Sequence, residues 1–105
     1  MESGEPQLQL YEIVNLQHGS LTCTVRCVAG TVRLGETVDL RPATQPDRPI
    51  AQSLTVSAIE YAGDIPMTFV DLGRTAEVKV TGKLDVAAIR ALGDVTAADL
   101  RLVVR

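Results

Sequence analysis

His18, Cys23 and Cys27 are the residues of this chain whose types could bind a metal or act as a nucleophile and its base. If one strand holds both cysteines, their four-residue spacing places them on the same face about 13 Å apart, at roughly 3.3 Å per residue. The Cα atoms of a disulfide lie within about 7 Å of each other. We therefore interpret both cysteines as reduced side chains in the core, and we predict no metal site.

The carboxylates also fail to form a catalytic set. Asp64, Asp71, Asp85 and Asp94 fall in predicted turns, where an aspartate usually makes local hydrogen bonds. The Gly-x-x-x-x-Gly-Lys-Ser/Thr motif of nucleotide-binding loops does not occur in the sequence. Because no acid, base and nucleophile come together, we predict a protein with no catalytic residues and no cofactor.

Composition limits the class of protein. A chain of 105 residues has room for one domain, and only 3% of it is aromatic, so the core must consist mainly of valine, leucine, isoleucine and alanine. A net charge of −3 argues against a broad basic face for nucleic-acid backbones, so no DNA partner is expected. No signal peptide or membrane span is predicted. We expect a cytoplasmic protein with a disordered tail over 1–7 and one domain over 8–105.

Apolar residues recur with the period of β-strands along most of the chain. The apolar pattern predicts seven β segments: 8–16, 21–29, 37–40, 50–61, 67–72, 75–81 and 100–105. Alternation is imperfect in 8–16, which indicates a bend or a strand that is buried on both faces. Within 50–61 the apolar parity changes after Ala58, which predicts a β-bulge. Residues 85–92 favour one short helical turn, with Asp85 as its cap.

Glycines lie between or at the ends of these segments. Gly30 and Gly35 separate two β runs, and Gly82 and Gly93 end later segments, so we interpret all four as structural turn glycines. Many strands joined by short turns predict an all-β fold. A closed barrel leaves no exposed edges, so we expect a small closed antiparallel, Greek-key-like β-barrel of six to seven strands.

Four motifs in this order resemble a known family. The stretch 24–40, with its paired glycines, is similar to the signature of the second domain of translational GTPases, the β-barrel of elongation factor Tu. The segments 54–60, 72–82 and 85–94 resemble later motifs of the same domain, so the likeness runs from about Leu10 to Val95. The chain departs from the family at Val25, where a glycine is usual, and at Gly19, where a basic residue is common.

The resemblance implies a stand-alone translation-protein β-barrel without GTPase activity. In the family this domain contacts the GTPase domain and RNA, and the pocket for the terminal adenosine corresponds to Leu16, Thr22 and Glu60 here. The expected function is a non-catalytic binding module that docks a protein, such as a GTPase or ribosomal component, or an RNA acceptor end. The simpler interpretation makes Glu60 a solvated strand-end residue and Leu16 part of the core. The alternative function is a structural protein that forms a homodimer through an exposed strand edge such as 101–105.

Overall fold

The computed structural model describes residues 6–42, 49–61, 65–84, 87, 89 and 100–104. Its strands are β1 (Gln7–Gln17), β2 (Ser20–Ala29), β3 (Thr31–Arg33), β4 (Thr37–Pro42), β5 (Ala51–Tyr61), β6 (Ile65–Met67), β7 (Phe69–Asp71), β8 (Thr75–Thr81) and β9 (Leu100–Val104). Ala87 and Ile89 are helical, within the predicted helical turn. The rest of 85–92, and Gly93, lie outside the described residues. No helix in the described part is long and apolar enough to cross a membrane.

Six strands form a closed antiparallel barrel. They follow the order β4-β9-β1-β2-β8-β5, and β5 pairs back with β4 through Thr37–Thr55 and Val38–Leu54. The short strand β6 extends the sheet beside β5, and β3 and β7 form a separate two-stranded ribbon. The predicted fold class, a small all-β closed barrel, is confirmed.

The barrel interior is aliphatic because inward positions alternate with outward ones along each strand. The two clearest alternating segments behave as the period of two requires: β2 and β8 bury every second residue. The cysteines are free and buried among these side chains. The fully buried core includes Leu8, Leu10, Leu21, Cys23, Val25, Val38, Leu40, Leu54, Val78, Val80 and Leu102.

Bulges shape two of the long strands. In β5 the register to β8 shifts between Val56 and Ala58, so the strand contains the predicted bulge, but the bulge precedes Ala58 rather than following it. In β1 the register to β2 shifts around Tyr11 and Val14, and these two side chains are 45% and 49% exposed. A bulge leaves one residue unpaired and bends the strand. The irregular apolar pattern of β1 therefore comes from these two extra residues.

The turn between Gly30 and Gly35 contains a strand that the sequence did not predict. Gly30 and Gly35 have φ of 65° and 90°, and between them β3 pairs with β7 through Val32 and Val70. Both valines are fully buried. The single strand predicted over 67–72 is wrong, because a bend at Thr68 divides this segment into two strands. The first, β6, pairs with β5, and the second, β7, pairs with β3.

Two predictions about the ends of the chain are corrected. Gln7, which was expected in the disordered tail, is the first residue of β1 and pairs with Ala29 and Val103. The strand over 101–105 was expected to offer an exposed edge, but β9 lies between β1 and β4 and pairs with both. The backbone edges of β9 are therefore used within the barrel and do not form the exposed edge that was expected.

Candidate functional site

Thr22 and Glu60 line one hollow on the outer face of the barrel. Register places Thr22 opposite Lys79 and Lys79 opposite Ala58, while Glu60 lies opposite Glu77. Together these five residues surround a half-open hollow of about 270 Å³. Three strands position it: β2 supplies Thr22, β8 the middle wall, and β5 the far wall. We call it the β2–β8–β5 hollow.

Its charges are arranged unevenly. Glu60 and Glu77 are cross-strand partners, so two carboxylates lie directly across from each other. Like charges in this position repel each other. Lys79 supplies the one ammonium group among the described lining residues, whose formal charges sum to −1. Such a site favours a ligand group that donates hydrogen bonds over a phosphate.

Leu16 does not join this site. It pairs with Leu21 near the end of β1, is half-buried and packs against the core. The structure therefore brings together two of the three residues that the resemblance indicated. Sequence reasoning missed Ala58, Glu77 and Lys79. Alternation in β8 does identify Glu77 and Lys79 as outward residues. It does not identify their neighbours, because these depend on the register between strands.

A larger hollow of about 700 Å³ lies at the opposite end of β5. It is lined by Gly82, Lys83 and a run from Pro49 to Ser53. Among the described residues that line it, Lys83 is the one charged side chain, and neither Thr22 nor Glu60 belongs to this hollow. Size alone therefore does not select the functional site, because this hollow has few convergent polar side chains to orient a ligand.

The cysteines and the histidine do not form a reactive centre in the part of the chain that is described. Burial, with a smaller contribution from Glu77, raises the pKa of the Cys23 thiol to about 12, and its Sγ donates to the carbonyl of Val78 at 3.8 Å. Burial also raises the pKa of Cys27. Both thiols are protonated at neutral pH and are poor nucleophiles. Among the described residues no group of three His, Cys, Asp or Glu side chains is placed to hold a metal.

No protein-family model matches this chain, and no curated protein matches it either.

Proposed function

We propose that this protein is a non-catalytic, translation-related binding module whose β2–β8–β5 hollow takes the terminal adenosine of an RNA acceptor end. The observation that carries the proposal is the meeting of Thr22 and Glu60, which are 38 residues apart in sequence, at the same hollow. Both positions were indicated by the resemblance to the second domain of translational GTPases.

The lining offers complementary chemistry for a base. The carboxylate of Glu60 accepts a hydrogen bond from the adenine amino group, and the hydroxyl of Thr22 donates to or accepts from the ring edge. Ala58 gives the ring a small apolar contact. The hollow of about 270 Å³ falls just below the usual range of roughly 300–1,000 Å³ for small-molecule pockets, which suits one nucleoside rather than a longer segment.

The charge of the hollow decides which part of the RNA enters. Two carboxylates against one ammonium group disfavour a phosphate, whereas a neutral base with an exocyclic amino group meets an acceptor. The ammonium of Lys79 is left to contact the ribose or the adjoining backbone. We also propose a cytoplasmic location, because a translation-related role would be carried out there.

Equilibrium binding of a fluorescent single-stranded RNA ending in adenosine tests the proposal. We expect saturable binding that weakens when the terminal base is cytidine, whose amino group is placed differently. Glu60→Gln should weaken binding by about tenfold, since it removes a charge-assisted hydrogen bond. The matched control is Glu12→Gln, an exposed glutamate on β1 that lies in the same cross-strand row but outside the hollow.

Absence of binding, or equal losses for both variants, would overturn the RNA assignment. A pull-down from the source cell with and without ribonuclease then separates the two partner classes. Capture of a GTPase or a ribosomal protein that survives ribonuclease, and is lost on Glu60→Gln, would assign the hollow to a protein partner whose basic side chain meets the same carboxylates.

A further inference from the structure

Three arginines lie side by side on a second outer face of the barrel. Register places Arg41 of β4 opposite Arg101 of β9, Arg101 opposite Gln9 of β1, and Gln9 opposite Arg26 of β2. At about 4.8 Å between strands, the row spans roughly 14 Å. We call Arg41, Arg101 and Arg26 the arginine row.

The two partly buried arginines are held in place by side chains of the next row. Nη2 of Arg41 lies 2.9 Å from Oδ2 of Asp39, and Nη1 of Arg101 donates to Oε1 of Gln7 over 3.2 Å. Asp39 and Gln7 flank Val103, which is buried although it belongs to the outward side of β9. Both guanidinium groups therefore lean the same way along the barrel, each oriented by one of these contacts.

Charge at this face is opposite to that of the rest of the chain. Three arginines and Asp39 sum to +2, on a protein whose net charge is −3, so the remaining residues carry −5. Arg41 and Arg101 face each other directly, and like charges in that position are destabilising. Asp39 forms an ion pair with Arg41. Moreover, the buried Nε of Arg101 has no hydrogen-bond partner in the described structure.

We propose that the arginine row is a phosphate-binding surface with Arg101 at its centre. A guanidinium group presents parallel N–H donors that match two oxygens of a phosphate, and a charge of −1 to −2 relieves the repulsion between Arg41 and Arg101. A small rotation of the Arg101 side chain presents its Nε–H to the anion. The surface is separate from the β2–β8–β5 hollow: Arg26 is four residues from Thr22 along β2, about 13 Å at roughly 3.3 Å per residue. It does not depend on the proposed RNA role.

Titration of the full ¹⁵N-labelled chain with pyrophosphate, at ionic strength held constant with sodium chloride, tests this surface. We expect saturable shifts of the Arg101 and Arg41 Nε–H resonances. Arg101→Gln should raise the dissociation constant for pyrophosphate by about tenfold. Arg101→Lys should raise it by less, because lysine keeps the positive charge but lacks the two parallel N–H donors of a guanidinium group. The matched control is Arg33→Gln, which removes one exposed charge from β3, outside the row, and should change the constant by less than about twofold.

Shifts that sodium chloride reproduces, or equal losses for Arg101→Gln and Arg33→Gln, would overturn the proposal. If Arg101→Gln does not fold, the exposed Arg26 replaces it: Arg26→Gln should weaken binding more than Arg33→Gln does. Two further ligands identify the source of the phosphate. Adenosine monophosphate carries a terminal phosphate, and an RNA tetranucleotide without terminal phosphates carries only bridging ones. Shifts with either ligand support the surface and identify the kind of phosphate that it binds. Shifts with none of the three ligands, pyrophosphate included, beyond those of chloride reject the surface.

Discussion

The backbone N–H of Ser53 donates a hydrogen bond to Oδ1 of Asp39 over 3.0 Å. Asp39 is 1% exposed although it lies on the outward side of β4, and Ser53 has a φ of 58°. Here β5 contains one residue more than β4, because Val38 pairs with Leu54 but Leu40 pairs with Ala51. The carboxylate therefore holds a bulge at the seam where β4 and β5 close the barrel.

Replacing Asp39 with alanine should destabilise the protein by about 2–3 kcal/mol. The change leaves the Ser53 amide without this acceptor and removes the ion pair of Arg41, whose side chain is only 31% exposed. Urea denaturation with an unchanged m-value measures the loss. Asp71→Ala is the control, because its contact with Arg74 is 3.8 Å long and exposed, and it should change stability by less than about 0.5 kcal/mol. Similar effects for both variants would contradict the assigned role of Asp39.

Ser53→Gly should stabilise the protein. A left-handed conformation costs an ordinary L-residue about 1–2 kcal/mol, and glycine avoids this while losing more chain entropy on folding, so a net gain of about 0.5 kcal/mol is expected. Ser57→Gly is the matched control in the same strand. It should destabilise, since it removes the 2.6 Å contact between the Ser57 and Thr81 hydroxyls. A loss of stability for Ser53→Gly would show that the interactions of the Ser53 side chain and the entropy cost of glycine outweigh the conformational cost of the positive φ. Thermal unfolding of both variants supplies the comparison.

Much of the fold was predictable because its signals are local. Alternation in β2 and β8 identifies the inward residues, and the change of parity within 50–61 indicates a bulge, although it places the bulge after Ala58 and the register shift lies between Val56 and Ala58. The strand β3 escaped prediction because three residues between two glycines are too few to show a period. The neighbours of β9 escaped for another reason: only closure of the whole barrel decides them.

The candidate site was predictable only in part, since cross-strand register is not written in any local pattern. Thr22 and Glu60 came from motif resemblance, but Glu77 and Lys79 join them only through the pairing of β2, β8 and β5. The arginine row depends even more on cross-strand register. Its members come from three strands that are distant in sequence, and nothing near any one arginine distinguishes it from a solvated charge.

Gly82→Ala should destabilise the protein by about 2 kcal/mol, because the added methyl group disfavours the backbone conformation and crowds a neighbouring side chain. Gly82 has a φ of 150°, and an added Cβ would lie 3.0 Å from Cδ2 of Leu54, a fully buried core residue. The control is Gly35→Ala, where φ is 90° but no atom lies within 4 Å, so that only the conformational cost of about 1 kcal/mol remains. Chemical denaturation of the two variants separates crowding from conformation, and an equal loss would show that Leu54 moves aside without cost.

Alkaline pH should destabilise the protein through Cys23. Burial raises the pKa of this thiol from 9.0 to about 12 in the folded chain, so the unfolded chain ionises first. The stabilising contribution is complete below pH 9 and is lost as the pH rises from 9 to about 12. At pH 10 the free energy of unfolding should have fallen by about 1 kcal/mol from this group. Cys23→Val keeps an apolar side chain in the core and removes this titration, while every other ionisable side chain is common to both proteins. Denaturation at pH 8 and pH 10 under reducing conditions should therefore show a smaller drop for the variant, and equal drops would mean that the thiolate of Cys23 is tolerated inside the barrel.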